Sequence, residues 1–184
     1  ELSSDKNYVV LGRNGSGKST FLQTLAGRYA TSEGKIAYIM DEQHVDVENI
    51  YKHLSICAPY IELFEDYTLV ESIELQSKFK QFKNDISLID IPELLQLDTT
   101  KNKQLKYYSS GMKQRVKLGL ATLMDTSILL LDEPTNNLDQ SGFEWYQKLI
   151  TDYSAHRLIV VCSNDQAHEF EFCNERLNIE DFKK

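Results

Sequence analysis

Eight consecutive residues, Gly12-Arg13-Asn14-Gly15-Ser16-Gly17-Lys18-Ser19, follow the spacing G-x-x-x-x-G-K-[ST] and constrain this chain more than any other segment. Ahead of them Tyr8-Val9-Val10-Leu11 is a short β-rich run. Behind them Lys18 to Leu25 carries Phe21, Leu22 and Leu25 at the spacing of one helical face. A strand that turns through glycines into a helix lets successive backbone N–H groups point inward, backed by the positive end of the helix. That arrangement suits phosphate, with Lys18 reaching the β- and γ-phosphates and the Ser19 hydroxyl coordinating Mg²⁺. The competing interpretation is an ordinary glycine turn. Its four fixed positions arise by chance in roughly 1% of chains of this length, and the flanking strand and helix lower that further. The loop alone leaves kinases, GTPases and many ATPases open.

A second segment narrows the choice. Ser127-Ile128-Leu129-Leu130-Leu131-Asp132 is a continuous apolar run ending in an acid, as expected of a parallel strand buried on both faces. Glu133 and Pro134 follow, so two carboxylates stand at the carboxyl end of the strand, where α/β sheets bind ligands. Asp132 is placed to hold Mg²⁺ through its water shell, and Glu133 to polarise an attacking water as general base. A solvated loop start is the alternative, and it loses weight once the phosphate loop is counted.

The rest of the chain reads as strands alternating with helices. Lys35–Met40, Ser55–Ala58, Arg157–Cys162 and Arg176–Ile179 have strand character. Helical patterns cover Thr68–Lys83 with Leu69, Ile73 and Phe79 as its apolar positions, Pro92–Leu97, Gly111–Leu123 and Phe143–Tyr153. The alternation predicts an α/β fold with a parallel sheet. With 41% hydrophobic and 26% charged residues over 184 positions, one globular domain is expected. The formal charge of −8 argues against a nucleic-acid role, which needs a clustered basic face. No apolar run reaches the roughly 20 residues that span a bilayer. Cys57 and Cys162 fall in strand-like runs and are expected to be buried thiols in a cytosolic protein. The start at Glu1, with no initiator methionine, predicts a fragment or a missing N-terminal segment.

Tyr108-Ser109-Ser110-Gly111-Met112-Lys113-Gln114-Arg115 resembles the LSGGQ-type signature of ABC ATPases, and Thr135-Asn136-Asn137-Leu138-Asp139 resembles their D-loop. Both stand in the family's order relative to the phosphate loop and the acidic strand. The resemblance covers essentially the whole chain. It implies a P-loop NTPase core of parallel sheet flanked by helices, plus a helical subdomain roughly at residues 61–120. It also implies an ATP-hydrolysing subunit of an ABC transporter, lying in the cytoplasm against the inner face of the membrane. The implied partners are a second cassette in a head-to-tail homodimer and a transmembrane subunit, with ATP and Mg²⁺ as ligands. Nucleotide contacts would come from Gly12, Asn14, Gly15, Ser16, Gly17, Lys18, Ser19 and Thr20. Ser109 and Gly111 would reach the partner's ATP from the N-terminus of the signature helix. Without the resemblance, Ser-Ser-Gly before an amphipathic helix reads as an N-cap, and the two roles are compatible.

Three departures from the family pattern stand out. The glutamine that usually touches Mg²⁺ and water aligns with Tyr60, with Glu62 nearby. The histidine that usually contacts the γ-phosphate aligns with Asn164, which can donate a hydrogen bond but takes up no proton; His168 is expected on a helix surface. The adenine-stacking aromatic lies upstream of the phosphate loop in the family, before this chain begins. These departures bear on hydrolysis rate more than on nucleotide binding, and they leave Glu133, Lys18 and Asn164 as the implied catalytic set. Two other functions stay open: a soluble, translation-factor-like ABC ATPase, suggested by Pro134-Thr135-Asn136, and a slow cassette that acts mainly by binding ATP.

Overall fold

The structure is a computed structural model, and it describes residues 1–182. The chain divides into two compact units: one built from Glu1–Ile56, Thr126–Glu133 and the segment that starts at His156, the other from Cys57–Asp125 and Pro134–Ala155.

The first unit holds a five-stranded sheet. Its strands are β1 (Asn7–Leu11), β4 (Leu54–Cys57), β5 (Ile128–Asp132), β6 (Leu158–Ser163) and β7 (Glu175–Asn178), in the order β4-β5-β6-β1-β7. The pairs β1–β6, β1–β7 and β5–β6 run parallel. Helix α1 (Lys18–Leu25) packs on β5 and β6. Leu22 of α1 is fully buried against Val10, Leu130, Val160 and Cys162. Each such aliphatic side chain contributes about 1.5–3 kcal/mol by leaving water. Leu129, Leu130 and Leu131 all have zero exposure. The run is therefore buried on both faces, as its unbroken apolarity predicts. Cys57 and Cys162 are buried and not disulfide-bonded.

The strand expected over Lys35–Met40 is shorter, β2 (Tyr38–Met40), and it pairs antiparallel with β3 (Gln43–Val45). The two turn residues, Asp41 and Glu42, both have positive φ, 49° and 63°. Such hairpin turns favour Asn-Gly or Asp-Gly, so Asp-Glu gave no signal in the sequence. Tyr38 roofs a small core with Ile50 and Leu54.

The second unit carries α2 (Leu69–Ser77), α3 (Ile91–Leu94), α4 (Ser110–Leu123) and α5 (Gln140–Tyr153). Thr68 and Glu71 form a reciprocal capping box that starts α2. The helix ends well before Lys83, and Phe79, one of the apolar positions of the expected helix, lies beyond its end and is 77% exposed. Residues 81–83 instead run extended: Lys83 N–H donates to the Leu123 carbonyl at 3.0 Å and Asp125 N–H to the Gln81 carbonyl at 2.9 Å. Backbone pairing to a distant segment overrides helical periodicity there. In α4 and α5, Arg115 lies over the Trp145 ring at 4.7 Å, while the indole N–H donates to the Leu94 carbonyl at 2.8 Å. Among the described residues no helix is long and apolar enough to cross a membrane.

Candidate functional site

β1 runs into a turn that enters α1 with Gly17 as its N-cap, at φ 101°; Gly15 has φ 75°. At neither position would a Cβ meet another atom within 4 Å. The glycines are required by the left-handed backbone rather than by lack of room. Having no side chain, Gly17 cannot cap the helix, so the first N–H groups of α1 are left for an anion, beside the buried Ser16.

Lys18 is only 5% exposed. Its ammonium donates to the Gly12 carbonyl at 2.8 Å, the Arg13 carbonyl at 3.2 Å and Asn164 Oδ1 at 2.5 Å. The Asn164 amide Nδ2 donates in turn to Glu133 Oε1 at 2.5 Å. Neighbouring strands make this chain of contacts: Glu133 follows β5, Asn164 follows β6, and Glu133 N–H donates to the Cys162 carbonyl at 2.9 Å. Glu133 has φ 46°, a left-handed conformation that costs a non-glycine residue about 1 kcal/mol or more and is found where function over-determines the backbone. The phosphate loop, Asp132, Glu133 and Asn164 thus meet beyond the carboxyl ends of β1, β5 and β6. His168, expected on a helix surface, lies in the 3-10 turn Ala167–Glu169 and is half-buried.

Asp132 is 2% exposed, and neither of its carboxylate oxygens accepts a hydrogen bond of good geometry. Burial holds its carboxyl above the usual range; the nearby Ser19 hydroxyl opposes this, Glu133 adds to it and Lys18 opposes it. A buried carboxylate that accepts no hydrogen bond of good geometry, beside a serine hydroxyl, fits a hard divalent cation, which takes oxygen ligands and keeps several of its waters. No cluster of three or more His, Cys, Asp or Glu is present among the described residues.

The raised carboxyl makes a testable statement about stability. Its contribution is full below the ordinary carboxylate range and is lost as pH rises through the folded value. Above that value the ionised Asp132 therefore weighs against the fold. Asp132→Asn is expected to raise the melting temperature at pH 7 by roughly 2–4 °C, a gain that shrinks toward about pH 4. Thermal melts at the two pH values check this; a lower melting temperature at pH 7 would show that Asp132 is already compensated.

Ser109, Gly111 and Tyr60 belong to the second unit. The Ser109 hydroxyl accepts from Met112 N–H at 3.2 Å, so the expected N-cap of α4 is present. A Cβ on Gly111 would stand 2.9 Å from the Asn137 carbonyl, so the backbone approach there excludes a side chain without movement. Gln114, within the signature-like segment but given no role by the sequence, is buried and donates from Nε2 to the Pro134 carbonyl at 2.6 Å. Asp139 caps α5, accepting from Gly142 N–H at 2.8 Å. Tyr60 and Glu62 are exposed. Sequence reasoning also missed the buried cluster of Arg157 with Ser55 and Thr126, because its members are 31 and 102 residues from the arginine.

Comparison with known proteins bears on the family and the fold. The family model described as "ABC transporter" matches residues 1–136. An uncharacterised ABC transporter ATP-binding protein, YybJ of Bacillus subtilis, is 27% identical over 94% of this chain and 79% of its own length. ABC transporter ced-7 of Caenorhabditis elegans is 29% identical over 85% of this chain, which spans 9% of that protein. Among solved structures, the dimeric bacterial ABC transporter cassette MJ0796 superposes with a TM-score of 0.77 at 22% identity, covering 97% of this chain and 84% of that one, a likeness of fold. With a matching family model over most of its length and a phosphate loop beside an acidic strand end, this chain belongs to the ABC transporter family, as one of its ATP-binding, ATP-hydrolysing cassettes.

Proposed function

We propose that the cassette binds MgATP on the Gly12–Ser19 loop and hydrolyses it with Glu133 as general base, on closing head to tail with a second copy of itself. The observation that carries this reading is the unbroken contact from Lys18 through Asn164 to Glu133, beside the buried carboxylate of Asp132. In it Lys18 binds the β- and γ-phosphates, aided by the N–H groups from Gly12 to Thr20, Asn14 and Ser16 among them. Asn164 supplies an amide hydrogen bond to the γ-phosphate side of the site. Ser19 and Asp132 would hold Mg²⁺, and Tyr60 would add a hydroxyl at the family's glutamine position. The metal, when bound, supplies charge neutralisation on the phosphates. Glu133 draws a proton from the attacking water as the water oxygen bonds to the γ-phosphorus and the bond to the bridging oxygen breaks, giving ADP and phosphate.

Ser109 and Gly111 would serve the partner's nucleotide, since the N-terminus of α4 carries positive potential and Gly111 permits a close backbone approach. The helical subdomain, roughly 61–120, would carry that segment toward the second cassette. The dimeric MJ0796 cassette and its post-hydrolysis form bound to ADP and Pi support this order of events. Closure would then drive a transmembrane partner from the cytoplasmic face of the membrane. Affinity purification of the tagged full-length protein from its own cells in mild detergent tests this. A polytopic membrane protein in near-equal amount is expected; recovery of ribosomal subunits in its place would move the reading to a soluble ATPase.

A further inference from the structure

Lys18 has three ammonium protons, and three acceptors take them. Two are the Gly12 and Arg13 carbonyls, which belong to the phosphate loop itself. The Arg13 carbonyl also accepts from Ser16 N–H at 3.1 Å, so it is tied into the turn. The third acceptor, Asn164 Oδ1, comes from the segment after β6 and makes the shortest of the three contacts, 2.5 Å. Asn164 has a second engagement outside the phosphate loop: its Nδ2 donates to Glu133 Oε1. The two neighbours set the amide's orientation, oxygen toward the cation and nitrogen toward the carboxylate.

A phosphate oxygen that reaches Lys18 has to take over one of these bonds. The two loop carbonyls move with the turn that wraps the phosphate, whereas Asn164 stands on a separate strand end and can be released without unravelling the turn. We propose that Asn164 is an exchange latch: a positioning residue that gives up Lys18 to nucleotide phosphate and, through the same amide, couples that exchange to the orientation of Glu133. Losing the cation frees the amide oxygen while the amide nitrogen keeps hold of the carboxylate. Phosphate arrival is thereby registered at the base. The second half of this idea rests on Glu133 acting as general base; the first half, competition for Lys18, does not.

The competition is isolated by ADP, which has a β-phosphate for Lys18 but no γ-phosphate for Asn164. In the full-length protein, Asn164→Ala removes the competitor and is expected to bind ADP about threefold to tenfold tighter by calorimetry. Asn164→Asp is isosteric, but its carboxylate pairs with Lys18 and repels Glu133. ADP is expected to bind it about tenfold more weakly. Both variants are expected to lose about tenfold or more in kcat, because Glu133 is no longer held. A residue that merely supports the fold would move ADP affinity the same way in both variants, and that result, or no change in either, overturns the latch. Opposite shifts with the kcat of Asn164→Ala near that of the parent would overturn the coupling to Glu133. Full turnover in Glu133→Gln would remove the base while leaving opposite ADP shifts as proof of exchange at Lys18. The failure of either idea is therefore recognisable.

Discussion

Glu133→Gln is expected to lower ATP turnover by about 10²–10⁴-fold while leaving the dissociation constant for MgATP within about twofold. The substitution replaces one carboxylate oxygen by an amide of nearly the same shape, so the left-handed backbone at φ 46° and the β5–β6 contact at Glu133 N–H are not disturbed. What disappears is the ability to take a proton from water. Lys18 keeps its loop contacts, and Asn164 retains an oxygen to donate to at that position. With hydrolysis blocked, ATP persists, and size-exclusion chromatography with MgATP should show a dimer that the parent protein forms only transiently. Steady-state turnover equal to the parent's would remove Glu133 as the base.

Lys18→Ala is expected to act on both quantities. ATP affinity should fall by about 10–100-fold, the range of a charge-assisted hydrogen bond converted to binding, and turnover should become undetectable. The reason lies in burial. Burial holds the Asp132 carboxyl high, the Ser19 hydroxyl opposes this and Glu133 adds to it, and the buried Lys18 ammonium is the cation that offsets part of it. Without it, two carboxylates and an incoming polyphosphate would share a site with no side-chain ammonium among them. Equilibrium binding beside turnover distinguishes the two variants, since Glu133→Gln leaves affinity in place and Lys18→Ala does not. Retained ATP affinity in Lys18→Ala would show that the loop N–H groups and the metal suffice without the ammonium.

Much of the frame was legible in the residues. The strand–turn–helix around Gly12–Ser19 announced itself because glycine spacing, a β-rich run and a helical face are all local properties. The burial of Leu129–Leu131 on both faces followed from an unbroken apolar run of strand length. The cap Ser109 was equally local, since a side chain bonding an N–H three residues on leaves a signature in sequence. What failed were elements whose limits are set by distant partners. α2 stops at Ser77 because residues 81–83 pair with Leu123 and Asp125, and β3 exists only as the partner of β2 across a turn lacking glycine.

The chemistry divides along the same line. The sequence by itself determined that this chain carries a phosphate loop and an acidic strand end, because those are contiguous motifs whose backbone conformation is dictated by the residues in them. Only the tertiary structure decided that Asn164, 146 residues from Lys18 and 31 from Glu133, bonds both at once. It also decided that Asp132 is buried with no well-formed hydrogen bond to its oxygens. The physical reason is that hydrogen-bond partnership and desolvation depend on which strand lies beside which. The order β5-β6-β1 is a property of the folded sheet that no single segment encodes.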